Sequence, residues 1–290
     1  MTGLSQQIVS ANGVDFAVLS QGEGPLALCV HGFPDSAHSW RHLMPALADA
    51  GYRVVAPFQR GYAPTAVPAD GRYQSGVLSV DMNALHEALG GDGDAVIIGH
   101  DWGAPATYGA AVLAPERWRK VVGMAVPPGP AFGMSMVGNL AQLKRSWYMF
   151  FFQSPLADMI VPSNDLAFID MLWADWSPGY PADADVAHVK AALAEAPNLM
   201  AALGYYRAAL GDGYKDPALD TEQAATGTIP TQPTLYLHGA QDGCIGAEVA
   251  ELAASMAPPQ LTVELVQGAG HFLQLEQPAQ VNARVLEFLQ

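Results

Sequence analysis

The chain has 290 residues, half of them hydrophobic, which is enough for a sizeable core in one large α/β unit carrying an insertion. Its 28 Asp+Glu against 13 Lys+Arg give a formal net charge of −15, which argues against nucleic acid and anionic membrane surfaces as partners. Two cysteines, Cys29 in an apolar run and Cys244 in a loop, argue against a disulfide scaffold and fit a reducing compartment; a start without a charged-then-apolar leader and the lack of a bilayer-length apolar run add the expectation of a cytoplasmic, non-membrane protein.

Taken in order, Gln7–Ser10 and Val14–Ser20 are expected as two strands joined at Ala11-Asn12-Gly13, a hairpin signal. Pro25–Val30 is a buried strand that runs into His31-Gly32-Phe33-Pro34. A helix is expected over Trp40–Ala50, stopping before Gly51, and a short strand over Arg53–Ala56. Phe58-Gln59-Arg60-Gly61-Tyr62 opens a Pro/Gly-rich loop, and Val77–Leu89 is a helix closed by Gly90-Gly91. The run Ala95-Val96-Ile97-Ile98 is a buried strand, Ala104–Leu113 a helix and Val121–Val126 a sixth strand ended by Pro127-Pro128. This alternation predicts a mostly parallel central sheet flanked by helices.

The alternation stops for about 100 residues. Helices are expected there over Gly138–Phe152, Asn164–Trp173, Val186–Ala194 and Asn198–Leu210, separated by prolines at 155, 162, 178, 181 and 197. The piece is rich in aromatics, most of which are expected to pack its own core. Strands at Thr234–Leu237 and Leu261–Val266 and helices at Ala247–Met256 and Pro278–Leu289 then resume the pattern. The chain thus divides into a core of residues 1–128 and 228–290 and a helical insertion of residues 129–227, placed after the sixth strand.

Gly99-His100-Asp101-Trp102-Gly103 lies between the fifth strand and the next helix. Strand, small-X-acid-X-small, helix is the layout of a nucleophile elbow, with Asp101 where such a turn holds its nucleophile in a strained conformation. G-x-D-x-G alone is a common turn pattern; the strand before it, the helix after it and suitable partners later in the chain give it weight. An aspartate there attacks carbon and forms an alkyl ester, which suits epoxides or alkyl halides, and the helix N-terminus favours its carboxylate form.

Hydrolysis of that ester requires a base and an acid that orients it. Of the eight histidines, His271 follows the last strand in Gly268-Ala269-Gly270-His271, a loop able to aim it. His238 and His100 are expected to be structural, and His38, His42, His86 and His188 to be solvated surface residues. Asp242 follows the strand that ends Leu237-His238. The order nucleophile, acid, base is that of an α/β-hydrolase. A His271 nitrogen should reach Asp242 while the other faces Asp101 across room for one water. The N–H groups of Phe33 and Trp102 are expected to meet charge on Asp101.

These residues resemble the epoxide hydrolase branch of the α/β-hydrolase superfamily over nearly the whole chain. His31-Gly32-Phe33-Pro34 matches its H-G-x-P loop, the Asp101 pentapeptide its elbow, and Gly239-Ala240-Gln241-Asp242 and Gly270-His271 its acid and base segments. Tyr148-Met149-Phe150-Phe151-Phe152-Gln153 and Tyr205-Tyr206-Arg207 look like the segments that carry two tyrosines of a helical cap. The resemblance implies the α/β-hydrolase fold with a cap over the site, a cis bond at Phe33–Pro34, Tyr148 and Tyr206 donating to an epoxide oxygen, no cofactor and no metal. It also implies a small apolar epoxide as substrate, and a monomer or homodimer. Phe58-Gln59 departs from the acid and leucine that often precede Arg-Gly-Tyr. A haloalkane-type dehalogenase shares Asp-Trp-Gly, but usually carries Asn or Glu where Phe33 stands. A non-catalytic ligand-binding protein of the same fold would tend to lose a triad member, and this chain keeps all three.

Overall fold

The computed structural model describes residues 3–290. Strands β1 (Ser5–Ala11) and β2 (Val14–Gln21) form the expected hairpin, turning through Asn12 and Gly13 at positive φ. β3 (Leu26–Val30), β4 (Arg53–Pro57), β5 (Val96–His100), β6 (Lys120–Met124), β7 (Thr234–Gly239) and β8 (Leu261–Val266) complete a sheet in the order β1-β2-β4-β3-β5-β6-β7-β8. The β1/β2 and β2/β4 pairs are antiparallel and the remaining pairs are parallel.

Helices cover both faces. They are α1 (Leu43–Asp49), α2 (Ser75–Ala88) and α3 (Gly103–Leu113) in the first half of the chain. A run of inserted helices follows β6, and α12 (Ala247–Ser255), α13 (Leu273–Glu276) and α14 (Pro278–Leu289) complete the second half. Burial on two faces explains why β3 and β5 are continuous apolar runs rather than alternating ones: every residue of both is buried. This rigid middle of the sheet is what positions the loops at its carboxyl ends.

The first expected helix begins instead as a tight 3-10 turn at Ala37–Trp40, capped by the Ser36 hydroxyl, with α1 restarting at Leu43. Pro45 supplies the reason: lacking an N–H, it is tolerated in the first turn of a helix and not in the middle. His86 is a second correction. It is buried in α2, with Nε2 3.0 Å from the Asp92 carbonyl and its ring edge-on to Trp118.

Between β6 and β7 the chain leaves the sheet through α4 (Ala131–Gly138), α5 (Leu140–Arg145), α6 (Trp147–Phe151), α7 (Ala157–Ile160), α8 (Ser163–Trp176), α9 (Asp183–Leu193), α10 (Ala196–Leu210) and α11 (Asp220–Ala225). The single helix expected over residues 138–152 is broken in two places. Asn139 is extended and its side chain accepts from the N–H groups of Ala141 and Gln142, so it starts a new helix rather than continuing one. Ser146 ends that helix and precedes α6. The first turn assigned to α8 is not right-handed: Asn164, Asp165 and Leu166 all have φ near +50°. α11, which sequence periodicity does not announce, returns to the sheet layer, where Gln223 and Thr226 bond Ser75 of α2. Among the described residues no helix is long and apolar enough to cross a membrane.

Candidate active site

Asp101 sits at the sharp exit of β5 with φ 50, a left-handed conformation that costs a non-glycine residue on the order of 1–3 kcal/mol. The turn is held by Asp101 N–H donating to Met124 O on β6 and by Ala104 N–H donating to Asp101 O. Glycine is obligatory on the flank: a Cβ on Gly103 would collide with the Val30 carbonyl at the end of β3. Gly32 serves a different need. A Cβ there would fall onto the Asp101 carboxylate and come within 2.6 Å of the Trp102 amide nitrogen, so its absence keeps open the hollow in which the carboxylate lies.

One wall of that hollow is the loop after β3. Phe33 N–H donates to Asp101 Oδ1 at 2.7 Å, and the Phe33–Pro34 bond is cis as expected. His31 anchors the loop: Nδ1 donates to Gly32 O at 2.8 Å while Nε2 accepts from Gln59 N–H at 3.0 Å, and the Gln59 amide reaches the His31 carbonyl. Gln59 is therefore a brace of this loop. The only sign of it in the sequence is that the pair Phe58-Gln59 departs from the expected acid and leucine, with Gln59 in the place of the leucine.

Asp242 and His271 arrive from β7 and β8 in register, and His271 Nδ1 donates to Asp242 Oδ2 at 2.9 Å. The other carboxylate oxygen of Asp242 accepts from Cys244 and Ile245 N–H at 2.7 and 2.9 Å. His271 Nε2 faces Asp101 Oδ2 at 3.5 Å. That separation is too short for a bridging water, so the water-sized gap expected from the sequence is not there. Charge explains the approach. Burial alone would lower His271, but Asp242 and Asp101 outweigh it and raise the ring to about 10, so an imidazolium lies against a carboxylate. Burial alone would also raise Asp242; His271, His238 and the Ile245 N–H hold it below the ordinary carboxylate value instead.

The two supporting histidines behave as expected. His100 Nε2 donates to the His271 carbonyl at 2.9 Å, and its Nδ1 lies 3.4 Å from Asp35. His238 is wedged between Tyr236 Oη and the Ile245 carbonyl and is lowered by burial. Trp176, at the end of α8, also contributes. Its carbonyl accepts from both Gly243 N–H at 3.0 Å and His271 N–H at 3.1 Å, so one inserted carbonyl ties the acid loop to the base loop. No side-chain pattern announces a backbone acceptor.

Above Asp101 lies a cavity of about 340 Å³, lined by Trp102, Phe132, Met136, Tyr148, Met149 and Tyr206 among others; Asp101 is its one charged lining residue among those described. A larger hollow of about 490 Å³ opens among α7, α8, α9 and α10, between Asp158, Asp165 and Lys190, and holds none of these groups. Tyr148 and Tyr206 meet edge to face, ring centroids 5.6 Å apart. Burial first, then Cys244 for Tyr148 and Asp101 for Tyr206, pushes both hydroxyls well above the ordinary phenol value, so both keep their protons. Tyr206 Oη has no hydrogen-bond partner among the described residues, although the Trp102 indole N–H leans toward it. Tyr148 Oη lies 3.4 Å from Cys244 Sγ. Tyr205 differs from its neighbour: its hydroxyl donates to the Arg60 carbonyl at 2.8 Å, and with Asn198 donating to Gly61 O at 2.7 Å it docks α10 on the loop after β4.

A model of the alpha/beta hydrolase fold matches residues 25–278. An epoxide hydrolase from Caballeronia sordidicola is 30% identical over 317 residues, covering 99% of this chain and 94% of its own. Epoxide hydrolase A from Mycobacterium tuberculosis is 30% identical over 327 residues, covering 98% and 97%. An inhibitor complex of the Bacillus megaterium epoxide hydrolase superposes with a TM-score of 0.82 at 26% identity, over 98% of this chain and 99% of that one.

Proposed function

The chain belongs to the α/β-hydrolase-fold family, in its epoxide hydrolase branch, and on that premise we propose that it adds water to a small apolar epoxide to give a vicinal diol. The observation that carries the reading is the stance of Asp101. Its carboxylate forms the floor of an apolar cavity, between a backbone donor and a histidine, with the rings of Tyr148 and Tyr206 among the walls.

Asp101 Oδ2 attacks an epoxide carbon, the C–O bond breaks, and its electron pair goes to the oxygen as that oxygen takes a proton from Tyr148 or Tyr206. An alkoxide is a poor leaving group, and these donors are what make ring opening feasible. The product of this step is an ester on Asp101. Esterification removes the negative charge facing His271 Nε2, and with it one of the interactions that raise the ring, so the imidazolium gives up its proton, which replaces the one spent by the tyrosine, and becomes a base. Neutral His271, oriented by Asp242, then takes a proton from water that attacks the ester carbonyl. The oxyanion forms on the oxygen bonded by Phe33 N–H, with the Trp102 N–H beside it. Collapse releases the diol and restores the carboxylate. Residues 129–227 serve as a cap that brings the tyrosines over the nucleophile and keeps bulk water out, and the protein acts in the cytoplasm without cofactor or metal.

The test is a panel of terminal, internal and aryl epoxides assayed for diol beside haloalkanes of matched size assayed for halide. The proposal predicts diol without comparable halide release. Halide release faster than diol formation would replace it with a dehalogenase.

A further inference from the structure

The two cavity tyrosines are not equivalent, and Cys244 makes the difference. Its thiol, buried in the loop that carries Asp242, lies 3.4 Å from Tyr148 Oη, within hydrogen-bond reach for sulfur. Tyr206 Oη makes no such contact with sulfur among the described residues and is faced instead by the Trp102 indole N–H. We propose that Cys244 is a positioning residue for ring opening, its S–H donating to the Tyr148 oxygen so that the phenolic proton is free to point at the epoxide oxygen. This rests on the function proposed above.

The direction of the bond follows from matching donors to acceptors. With an epoxide bound there are two donors, the phenol O–H and the thiol S–H, and three acceptors: the epoxide oxygen, the phenol oxygen and the sulfur. Sulfur is the weakest acceptor and the thiol the weaker donor. The best pairing sends O–H to the epoxide oxygen and S–H to the phenol oxygen. The reverse pairing, O–H to sulfur, removes Tyr148 from the reaction and leaves the S–H unpaired. The surroundings keep the thiol proton in place: burial first, then Asp242 and Asp101, push Cys244 well above its ordinary value. A donor to the phenol oxygen also favours the negative charge that grows there as its proton moves to substrate. The backbone fixes the geometry, since Cys244 N–H donates to Asp242 Oδ1 and Cys244 O accepts from the Gln142 amide of α5.

The experiment is a double-mutant cycle on the single-turnover rate of ester formation. Cys244→Ala should slow ring opening about three- to tenfold, the size of one modest hydrogen bond, with substrate KM little changed. In a Tyr206→Phe background the same factor should be lost, and in a Tyr148→Phe background nothing further. Cys244→Ser should restore most of the rate. An equal loss in the Tyr148→Phe background would make Cys244 a packing residue and overturn the proposal, as would no loss in the Tyr206→Phe background. A second readout needs no turnover. The Cys244 S–H stretch, isolated as wild type minus Cys244→Ala, should move to higher frequency in Tyr148→Phe; an unmoved band means the thiol does not donate. If Tyr148→Phe itself opens epoxides at full rate, this proposal falls and Tyr206 alone carries the parent reading; full rate in Tyr148→Phe/Tyr206→Phe ends both. A Tyr148→Phe loss that Cys244→Ala does not share overturns only this one.

Discussion

The carboxyl ends of the parallel strands and the helices inserted between β6 and β7 face the same cavity but are built differently. On the strand side, Asp101, Asp242 and His271 stand on loops whose roots are locked by the β5/β6 and β7/β8 ladders, and their polar atoms are held by bonds of 2.7 to 2.9 Å. On the inserted side, Tyr148 and Tyr206 are held by rings against rings: Tyr148 on Trp176 at 4.9 Å, Tyr206 on Phe33 and Trp102 at 5.2 Å each. One side is fixed by directional bonds, the other by packing. This fits a division of labour in which the strand ends perform the covalent steps and the insertion supplies the proton and the apolar walls.

Breaking the strand side should cost most. Asp101→Ala should reduce ring opening by on the order of 10⁴-fold or more, because Asp101 is the one carboxylate lining the cavity among the described residues; intact mass spectrometry should detect no substrate adduct. His271→Gln should spare ester formation and slow its hydrolysis by on the order of 10² to 10⁴, so the adduct should accumulate on the peptide containing Asp101. Breaking the inserted side should be milder. Tyr148→Phe/Tyr206→Phe should remain folded by circular dichroism and lose on the order of a hundredfold in alkylation rate, while each single variant keeps part of it. Loss of all activity in one single variant would mean that the two hydroxyls do not back each other up.

The same contrast governs what the sequence reveals. A buried strand has to be apolar and a nucleophile elbow has to have small flanks, so β5, Gly103 and Asp101 carry their constraints in residue type. The acid and base follow because they stand at strand ends. The insertion offers no such register. Its aromatics are spaced like ordinary core residues, and the periodicity of residues 138–152 runs straight through Asn139, whose side-chain cap starts a new helix. Tyr206 is separated from Tyr205 by what each hydroxyl meets, and only the structure contains that. The Trp176 carbonyl and the Gln59 brace were hidden for a related reason, since backbone acceptors and tertiary amide contacts have no fixed spacing in the chain. The missing water gap between His271 and Asp101 reflects an ion pair whose strength depends on burial, which sequence alone understates.

The smallest effect sharpens the electrostatic half of the comparison. His271 is raised from about 6.5 in an unfolded chain to about 10 in the fold. A group raised on folding contributes stability that is fully present below the unfolded value and is lost as pH rises through the folded one. The window is therefore about pH 6.5 to 10, with a decline of up to about 1.4 kcal/mol per pH unit. Denaturant unfolding across that range should show the decline in wild type and a shallower one in His271→Gln. Equal slopes would mean that His271 is not held as an imidazolium at rest.

The central claim is that Asp101, and not water, makes the new bond to carbon. A single turnover in ¹⁸O-water, with enzyme in excess over an epoxide, tests it most directly. Cleavage of the ester at its carbonyl carbon sends an original Asp101 oxygen into the product and a water oxygen into Asp101. The account predicts diol free of label and a mass increase of one ¹⁸O on the peptide carrying Asp101. Labelled diol from the first turnover, with Asp101 unlabelled, would mean that water attacks the epoxide directly and would contradict it.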